Sequence, residues 1–278
     1  MSGPFTAACV QMRADVTVKP SVDQAIALIR EAARSGAHYV QTPEMTNILQ
    51  PERPKFFEEI RSEDEDPSIP LFQAEAMTLG IWLHVGSLAI RVGERQAANR
   101  AYVISPDGEV VAAYDKIHMF DVDLPNGQTY RESAAYAPGD VAVMADLPWT
   151  RLGVTICYDL RFPHLYRTLA EQGAGVMAIP SSFTVPTGEA HWHVLMRARA
   201  IENGAFVVAA AQGGMHACGR ATYGHSLIVD PWGRILAEAD HDEPGVILAE
   251  IDPARVDETR GRIPSLANGR VFSVADIP

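Results

Sequence analysis

An apolar, β-branched run that ends at a cysteine is the feature that most restricts the fold of this 278-residue chain. Gly153-Val154-Thr155-Ile156 leads into Cys157, and the chain then changes at once to Tyr158-Asp159-Leu160-Arg161-Phe162-Pro163. This pattern predicts a buried strand that brings one thiol to its end, followed by a helix that begins at Pro163 and stops at Gly173. Free N–H groups at such a helix start favour a thiolate and can bind an oxyanion. A lone buried cysteine, however, is most often a small core residue.

The rest of the chain alternates strand-like and helix-like segments, which predicts an α/β fold with mixed sheets. Apolar runs predict strands over residues 5–12, 38–43, 81–88, 101–105, 109–114, 175–180, 205–211, 226–230, 234–237 and 245–251. Helical spacing predicts helices over residues 21–36, 71–79 and 189–203, and a short helix after Asp252-Pro253. In the first helix, Ser21 and Gln24 have the spacing of a capping box. No linker interrupts the pattern, so we expect a single domain over residues 1–278, without a short-period repeat.

Composition argues against several classes of function. The chain has 23 basic and 35 acidic residues, a net charge of −12 and no basic patch, so we expect no binding to nucleic acid or anionic membranes. No apolar run is long enough to span a bilayer, and the first residues lack a secretory pattern, which predicts a cytoplasmic protein. Cys9, Cys157 and Cys218 are far apart, so neither a disulfide framework nor a zinc site is expected. We therefore predict no metal and no cofactor. The charged segment 51–70 is predicted to be an exposed loop and short helix without a chemical role.

Two further ionisable residues, Glu44 and Lys116, also close predicted strands. Each one alone is most simply a solvated side chain. Because strand ends converge at one edge of an α/β sheet, we expect Glu44, Lys116 and Cys157 to meet. Together they offer a base, a positive partner for the thiolate and the oxyanion, and a nucleophile, as a hydrolase requires. No serine-hydrolase motif or glycine-rich phosphate loop competes with this set.

The histidines offer weaker alternatives. His191 and His193 are two residues apart on a predicted helix, so they point to different sides and are not expected to bind a metal. A papain-like protease would need one of His118, His164 and His225 beside the thiol. None of the three lies in a recognisable thiol-protease setting.

Three segments, in order along the chain, resemble the catalytic motifs of the nitrilase superfamily of carbon–nitrogen hydrolases. They are Thr42-Pro43-Glu44, Tyr114-Asp115-Lys116-Ile117-His118 and Ile156-Cys157-Tyr158-Asp159-Leu160-Arg161-Phe162-Pro163. The resemblance extends from the first strand to the turn at residues 230–233. It implies a four-layer αββα sandwich that pairs through its helices into a homodimer or a higher homo-oligomer. It also implies that Glu132 positions the lysine and the substrate.

Within that family, residues 190–202, 209–212 and 223–226 are most similar to the branch of deaminated glutathione amidases, with His193 in place of the commoner glutamate. This resemblance implies a small-molecule amide as substrate, with 2-oxoglutarate and cysteinylglycine as products. The enzymatic alternative is an ω-amidase acting on 2-oxoglutaramate, or a hydrolase of another aliphatic amide, carbamoyl compound or nitrile. The alternative of a different class is a catalytically silent binding protein with the same fold.

The predicted mechanism passes through a thioester on Cys157. Glu44 serves as base, acid and base again in the course of one turnover. Lys116 and the backbone N–H of Tyr158 are predicted to hold the tetrahedral oxyanion.

Arg161 is the candidate for binding a carboxylate on the substrate. The acyl group of the expected substrate is anionic, so its pocket needs a cation besides the lysine. A structural ion pair of Arg161 with Asp159 or Glu202 is an equally open role.

Overall fold

The computed structural model describes residues 3–124 and 127–275, and most of its strands belong to two large sheets. In chain order the strands are β1 (Phe5–Gln11), β2 (Tyr39–Gln41), β3 (Trp82–Gly93), β4 (Gln96–Ile104), β5 (Val110–Asp115), β6 (Asp121–Asp123), β7 (Thr129–Arg131), β8 (Tyr136–Ala137), β9 (Val143–Asp146), β10 (Arg151–Val154), β11 (Ala174–Ala178), β12 (Phe206–Ala209), β13 (Gly213–Met215), β14 (Ala221–Tyr223), β15 (Leu227–Val229), β16 (Ile235–Glu238) and β17 (Gly245–Ile251). The helices are α1 (Val18–Arg34), α2 (Arg53–Glu59), α3 (Ser68–Leu79), α4 (Pro163–Glu171), α5 (Val185–Asn203) and α6 (Ala254–Arg262). The predicted α/β class with mixed sheets is confirmed.

The first sheet has the strand order β17-β1-β2-β3-β4-β5, with β8 beside β4. Its central pairs β1–β2 and β2–β3 are parallel. The pairs β17–β1, β3–β4 and β4–β5 are antiparallel, and the short strand β8 pairs parallel with β4. The second sheet has the order β9-β10-β11-β12-β15-β16, again with two parallel pairs at the centre. Parallel pairs need crossover connections, which the helices between the strands provide.

The sheets stack face to face between two layers of helices. In β1, Ala7 and Cys9 belong to the hydrophobic cluster that contains the second sheet, including Val208 of β12. The alternate residues Ala8 and Val10 belong instead to the cluster formed with α1 and α3. Because successive side chains of a strand point to opposite faces, this alternation places the first sheet between the helices and the second sheet. The architecture is the predicted αββα sandwich.

The capping box predicted at Ser21 is wrong. α1 begins earlier, with Thr17 at its N-cap, and Ser21 Oγ already donates to the Thr17 carbonyl at 3.0 Å from inside the helix. Ser21 Oγ also accepts the Asp15 N–H at 2.8 Å, and Gln24 Oε1 accepts the Arg13 N–H at 2.8 Å. Both side chains therefore stabilise the preceding loop rather than each other.

Two other helices begin before the predicted residue because each accepts a proline in its first turn. Pro70 lies near the start of α3, and Pro186 occupies a first-turn position of α5. Proline lacks an N–H that the first turn would leave without an intrahelical partner, so it does not end a helix there. No helix in the part of the chain that the structure describes is both long and apolar enough to cross a membrane.

Residues 121–140, whose sequence shows no clear helical or strand period, form a folded segment. It contains the two-stranded sheet of β6 and β7, a 3₁₀ turn over Glu132–Ala134, and β8, which pairs with β4. Pro125 and Asn126 of this segment lie outside the described residues, as do the last three residues of the chain, for which the sequence predicts an extended tail.

Gly86 of β3 marks a close approach between the two sheets. A Cβ at this position would lie 2.0 Å from the Thr42 carbonyl oxygen and 2.5 Å from Cβ of Pro180. Thr42 follows β2 of the first sheet, and Pro180 follows β11 of the second. Glycine therefore allows the ends of two parallel strands, one from each sheet, to come together.

Candidate active site

The turn after β10 holds Cys157 in an unusual backbone conformation. The strand ends at Val154, a 3₁₀ turn runs over Cys157–Arg161, and α4 starts at Pro163 as predicted. Cys157 has a φ of 48°, and its N–H donates to the Pro180 carbonyl at 2.9 Å. Residues other than glycine rarely adopt positive φ, and where they do the strain is most often found at functional sites.

Glu44 and Lys116 meet below this turn. The Lys116 ammonium donates to Glu44 Oε1 at 2.8 Å, and to Glu132 Oε1 and Oε2 at 2.9 and 2.8 Å. Lys116 is 1% exposed and Glu44 is 3% exposed. A buried ammonium needs such pairing, since an isolated charge is expensive to remove from water. Glu132, singled out only by family resemblance, thus contacts the lysine.

Asn99 of β4 was missed at the sequence level. Its Nδ2 donates to Glu44 Oε1 and to Glu132 Oε1, both at 3.0 Å, so one amide joins the two carboxylates. The backbone N–H of Phe120 donates to the other oxygen of Glu132 at 2.7 Å. These donors fix the orientation of both carboxylates around the ammonium.

Glu44 and Lys116 each stabilise the charged form of the other. Burial by itself raises the pKa of the Glu44 carboxyl, but the Lys116 charge and the hydrogen bonds from Lys116, Cys157 and Asn99 outweigh it and lower the pKa below its usual value. Burial acts to lower the pKa of Lys116, but the Glu132 and Glu44 carboxylates raise it well above the ordinary range. The site therefore contains a carboxylate and an ammonium at neutral pH.

Cys157 is held as a thiol rather than a thiolate. Burial and the Glu44 charge raise its pKa, against the lowering effects of Lys116 and a hydrogen bond from the Ser182 backbone. The thiol in turn donates to the Glu44 carboxylate. The expectation that the nearby helix start would favour the thiolate is wrong for the free site, because burial and one carboxylate have the larger effect.

The side chains around the thiol line a cavity of about 450 Å³. Its lining includes Glu44, Lys116, Glu132, Cys157 and Tyr158. This volume is within the range of small-molecule sites.

Part of the segment 51–70 also lines this cavity. Pro51, Arg53 and Phe56 face it, although the segment was predicted to have no chemical role. The charge and proline content that suggested an exposed loop gave no indication that α2 folds against the site.

Arg161 lies in the cavity wall between aromatic rings. Its guanidinium is 5.9 Å from the Tyr158 ring centroid and 5.7 Å from that of Phe183, and Nη2 is 3.3 Å from His191 Nδ1. Such cation–π contacts hold an arginine without neutralising its charge.

The two ion pairs considered for Arg161 are not formed. Asp159 accepts hydrogen bonds from Tyr114 Oη at 2.7 Å, from the Ile156 N–H at 2.9 Å and from the His118 N–H at 3.1 Å. Glu202 pairs with Arg199 at 2.7 Å. Among the described residues, Arg161 contacts no carboxylate.

The histidines take structural positions. His193 Nε2 lies 2.6 Å from Glu238 Oε1, and His118 Nδ1 lies 2.7 Å from Asp159 Oδ1. His118 stacks on Phe162 with ring centroids 3.5 Å apart, and His225 stacks on Tyr223 at 4.0 Å. Glutamate rather than histidine is the basic side chain that contacts the thiol.

A buried Cys, Glu and Lys around one cavity define a class of thiol hydrolase, and the comparisons with known proteins agree. The family described as carbon-nitrogen hydrolase matches residues 6–261. The chain therefore belongs to the carbon–nitrogen hydrolases, which are enzymes that cleave C–N bonds in linear amides.

Two named relatives cover nearly the whole chain. It is 41% identical over 273 residues to a deaminated glutathione amidase of Synechocystis sp., covering 97% of this chain and 99% of that protein. It is 35% identical over 263 residues to the human omega-amidase NIT2, covering 94% and 93% of the two chains.

The structural neighbours show the same fold. The NitFhit protein of C. elegans superposes with a TM-score of 0.89 at 33% identity, covering 97% of this chain and 66% of that one. Nit3 of Saccharomyces cerevisiae, described as a member of branch 10 of the nitrilase superfamily, superposes with a TM-score of 0.85 at 29% identity, covering 95% and 96%.

Proposed function

We propose that this protein is a thiol-dependent amidase that cleaves deaminated glutathione, the 2-oxoglutaryl amide of cysteinylglycine. One observation carries the proposal: the buried Glu44 carboxylate contacts both the Cys157 thiol and the Lys116 ammonium at the edge of a cavity of about 450 Å³. A base, a nucleophile and a fixed positive charge are then within reach of one substrate carbonyl. The name of the Synechocystis relative supports the choice of substrate.

In the first half of the proposed reaction, Glu44 accepts the thiol proton as Cys157 Sγ attacks the amide carbonyl. The carbonyl π electrons move to oxygen and form a tetrahedral oxyanion. When this intermediate collapses, the C–N bond breaks and the departing amine takes the proton from Glu44. The acyl group remains on Cys157 as a thioester, and cysteinylglycine leaves.

In the second half, Glu44 accepts a proton from water as the water oxygen attacks the thioester carbonyl. Collapse of the second tetrahedral intermediate breaks the C–S bond, and Glu44 returns the proton to sulfur. The product acid then ionises to 2-oxoglutarate. A thiol kept protonated beside an ionised carboxylate is the correct starting state for this sequence, because the base must be free to receive the proton.

The oxyanion needs donors that are already in place. Lys116 directs two hydrogen bonds at Glu132, and exchange of one of them for the oxyanion would keep the ammonium in position. Tyr158 is the second residue of the 3₁₀ turn, whose first N–H groups have no partner within the turn. Its N–H is the second proposed donor.

Arg161 is proposed to bind the carboxylate of the 2-oxoglutaryl group. Its guanidinium faces the cavity without a carboxylate partner among the described residues. Arginine forms paired hydrogen bonds with carboxylates, and the rings of Tyr158 and Phe183 limit its motion before substrate binds.

An ω-amidase reaction on 2-oxoglutaramate is the second candidate, since the human relative carries that name. Both substrates give 2-oxoglutarate through the same acyl-enzyme, so they differ only in the amine that leaves. The test compares 2-oxoglutarate release from the two substrates, with Cys157→Ala as the blank. We expect the larger kcat/KM for deaminated glutathione. Faster release from 2-oxoglutaramate would favour the ω-amidase, and release from neither would exclude both.

We also propose that the protein is a cytoplasmic homodimer. All three cysteines are unpaired, as is usual in a reducing compartment. Val194 and Ile201 on α5 are 68% and 52% exposed, which suits pairing through that helix. Light scattering coupled to size exclusion would test the dimer, and a monomeric mass would reject it.

A further inference from the structure

The cavity carries a positive charge that the catalytic residues do not explain. Its lining has five basic side chains, Arg53, Lys116, Arg131, Arg161 and Arg220, and two acidic ones, Glu44 and Glu132, which leaves three positive charges. The chain as a whole has a net charge of −12. A local reversal of charge in a concave site attracts anionic ligands.

Pairing within the protein accounts for only part of this charge. Lys116 is balanced by its two glutamates, and Arg131 pairs with Asp123 at 2.7 Å. Among the described residues, Arg53, Arg161 and Arg220 have no carboxylate partner. With Arg161 assigned to the acyl carboxylate, two cations, Arg53 and Arg220, remain for a second anionic group.

Arg220 is held firmly at the cavity. It lies between β13 and β14, where Nη2 donates to the Ser182 carbonyl at 2.9 Å and the guanidinium is 5.3 Å from the Tyr130 ring centroid. The loop is anchored by His216, whose ring nitrogens contact the Ala14 carbonyl at 2.9 Å and Thr222 Oγ1 at 2.7 Å. Nε of Arg220 is buried and lacks a partner among the described residues. Arginine forms charge-assisted and often paired hydrogen bonds with carboxylates, so the part of this guanidinium that lines the cavity suits an anionic group.

The position of Arg220 fits the far end of the leaving amine. Ser182 joins Arg220 to the nucleophile, because its carbonyl accepts from Arg220 and its backbone N–H donates to Cys157 Sγ. The guanidinium and the sulfur are linked through one residue and two hydrogen bonds, so the distance between them is on the order of 10 Å at most. The two residues of cysteinylglycine extend about 7 Å from the scissile nitrogen.

Arg53 is a poorer partner for this group. It is exposed at the start of α2, and its Nη2 donates to the Ala134 carbonyl. Arg161 and Arg220, in contrast, contact the adjacent residues Phe183 and Ser182 beside the nucleophile.

We propose that Arg220 is a specificity-determining residue that binds the carboxylate of the leaving amine, so that the site prefers amides with an anion on each side of the scissile bond. The proposal rests on the amidase function proposed above. It explains why a peptide-like amide would be chosen over a primary amide, since ammonia offers nothing for Arg220 to bind.

The test uses 2-oxoglutaryl-cysteinylglycine, its C-terminal carboxamide and 2-oxoglutaramate with three proteins: wild type, Arg220→Gln and the matched cavity variant Arg53→Gln. We expect Arg220→Gln to lower the kcat/KM ratio of acid to carboxamide by roughly tenfold or more, mainly through KM. The rate on 2-oxoglutaramate should change little. Arg53→Gln should keep the ratio of the wild type.

The outcomes separate the two proposals. Wild-type protein that releases 2-oxoglutarate from none of the substrates overturns the amidase function and the role of Arg220 together. Active wild-type protein with an unchanged acid-to-carboxamide ratio in Arg220→Gln, or with the loss in Arg53→Gln instead, overturns only the role of Arg220. If Arg220→Gln does not fold, inhibition of the wild type decides: cysteinylglycine should inhibit at least tenfold more strongly than cysteinylglycinamide, and equal inhibition rejects the proposal.

Discussion

The two sheets repeat one topology but carry different chemistry. In each sheet three parallel strands are followed by two antiparallel ones: β1-β2-β3-β4-β5 in the first and β10-β11-β12-β15-β16 in the second. In each, helices connect the parallel strands, and one antiparallel strand, β17 or β9, covers the first strand of the set. The two halves of the chain thus build the same layer twice.

The ends of corresponding strands differ in their side chains. β1 is followed by Met12 where β10 is followed by the segment with Cys157, and β2 is followed by Pro43-Glu44 where β11 is followed by Pro180-Ser181. The first sheet therefore supplies the carboxylate and, after β5, the ammonium, while the second supplies the thiol. The fold fixes where strand ends meet, and the residues placed there decide the reaction.

Hydrogen bonds across the contact between the two sheets, here called the seam, hold the two sets of strand ends together. Asp159, in the nucleophile turn, accepts from Tyr114 of β5 at 2.7 Å and from the His118 N–H at 3.1 Å, on either side of Lys116. Gln212, after β12, donates to the Glu44 carbonyl at 3.0 Å. Each half thus positions the reactive residue of the other.

Removing the thiol of the second half should have the largest effect. Cys157→Ala should lower amidase turnover by roughly 10⁴-fold or more, because no other group can form the thioester. The matched control is Cys9→Ala in β1, a buried thiol of the first half that lies outside the cavity. It should keep the wild-type rate in the same 2-oxoglutarate release assay. Loss of turnover in Cys9→Ala with activity left in Cys157→Ala would reverse the roles given to the two halves.

Replacing Lys116, the cation of the first half, should have the second largest effect. Lys116→Arg keeps the charge, but a planar guanidinium cannot occupy the enclosed point between Glu44 and Glu132. We expect kcat to fall by roughly 10²- to 10³-fold, in line with the loss of an oxyanion donor. Steady-state kinetics with a folded variant, checked by circular dichroism, measures this. Near wild-type kcat would show that only charge matters at this point.

The contact between the sheets itself can be broken at Gly86. Gly86→Ala places a methyl group in the space taken by Thr42 and Pro180, so the strand ends must separate. We expect a loss of about 3 kcal/mol in unfolding free energy, measured by urea denaturation. Gly245→Ala, where a Cβ meets nothing within 4 Å, is the matched control and should change stability by about 0.5 kcal/mol or less. Equal effects of the two substitutions would argue against a tight seam.

A smaller effect is expected from the charge interaction between Glu44 of the first half and Cys157 of the second. The Glu44 charge helps to raise the Cys157 pKa, so Glu44→Gln should move the thiol titration to lower pH. Thiolate absorbance measured against pH, as the difference from the matching Cys157→Ala protein, detects the shift. An unchanged or higher pKa would mean that the two groups are not coupled.

The Glu44 carboxyl also sets the pH below which the reaction slows. The lowered pKa of Glu44 keeps this base ionised through the mildly acid range. Wild-type kcat/KM should therefore stay level on acidification and fall only below the usual glutamate pKa of about 4.3. A decline that begins near pH 6 would point to a different base.

Contiguous features were predictable from the sequence. The apolar run into Cys157, the proline after it, and the motifs around Glu44 and Lys116 each lie within a few residues, so local pattern is enough to place them at strand ends. Family resemblance supplied Glu132 and the layered architecture.

Features that depend on distant parts of the chain were not predictable. Asn99 lies inside β4 with no local signal, and only the packed sheet brings it to two carboxylates. The raised pKa of the Cys157 thiol was not predicted, because its burial and its contact with Glu44 depend on residues distant in sequence. The repeated topology has no short sequence period, since strand order is set by pairing between distant segments.

In the proposed reaction a carboxylate from one sheet activates a thiol from the other for attack on an amide. This activation can be followed by acid quenching of wild-type and variant proteins at successive times during turnover of deaminated glutathione, followed by peptide mass spectrometry. We expect a 2-oxoglutaryl adduct on the Cys157 peptide that is absent from Cys157→Ala and that, at the earliest quench times, forms much more slowly in Glu44→Gln. An adduct on Cys9 or Cys218, or one that forms at the wild-type rate in Glu44→Gln, would rule this activation out.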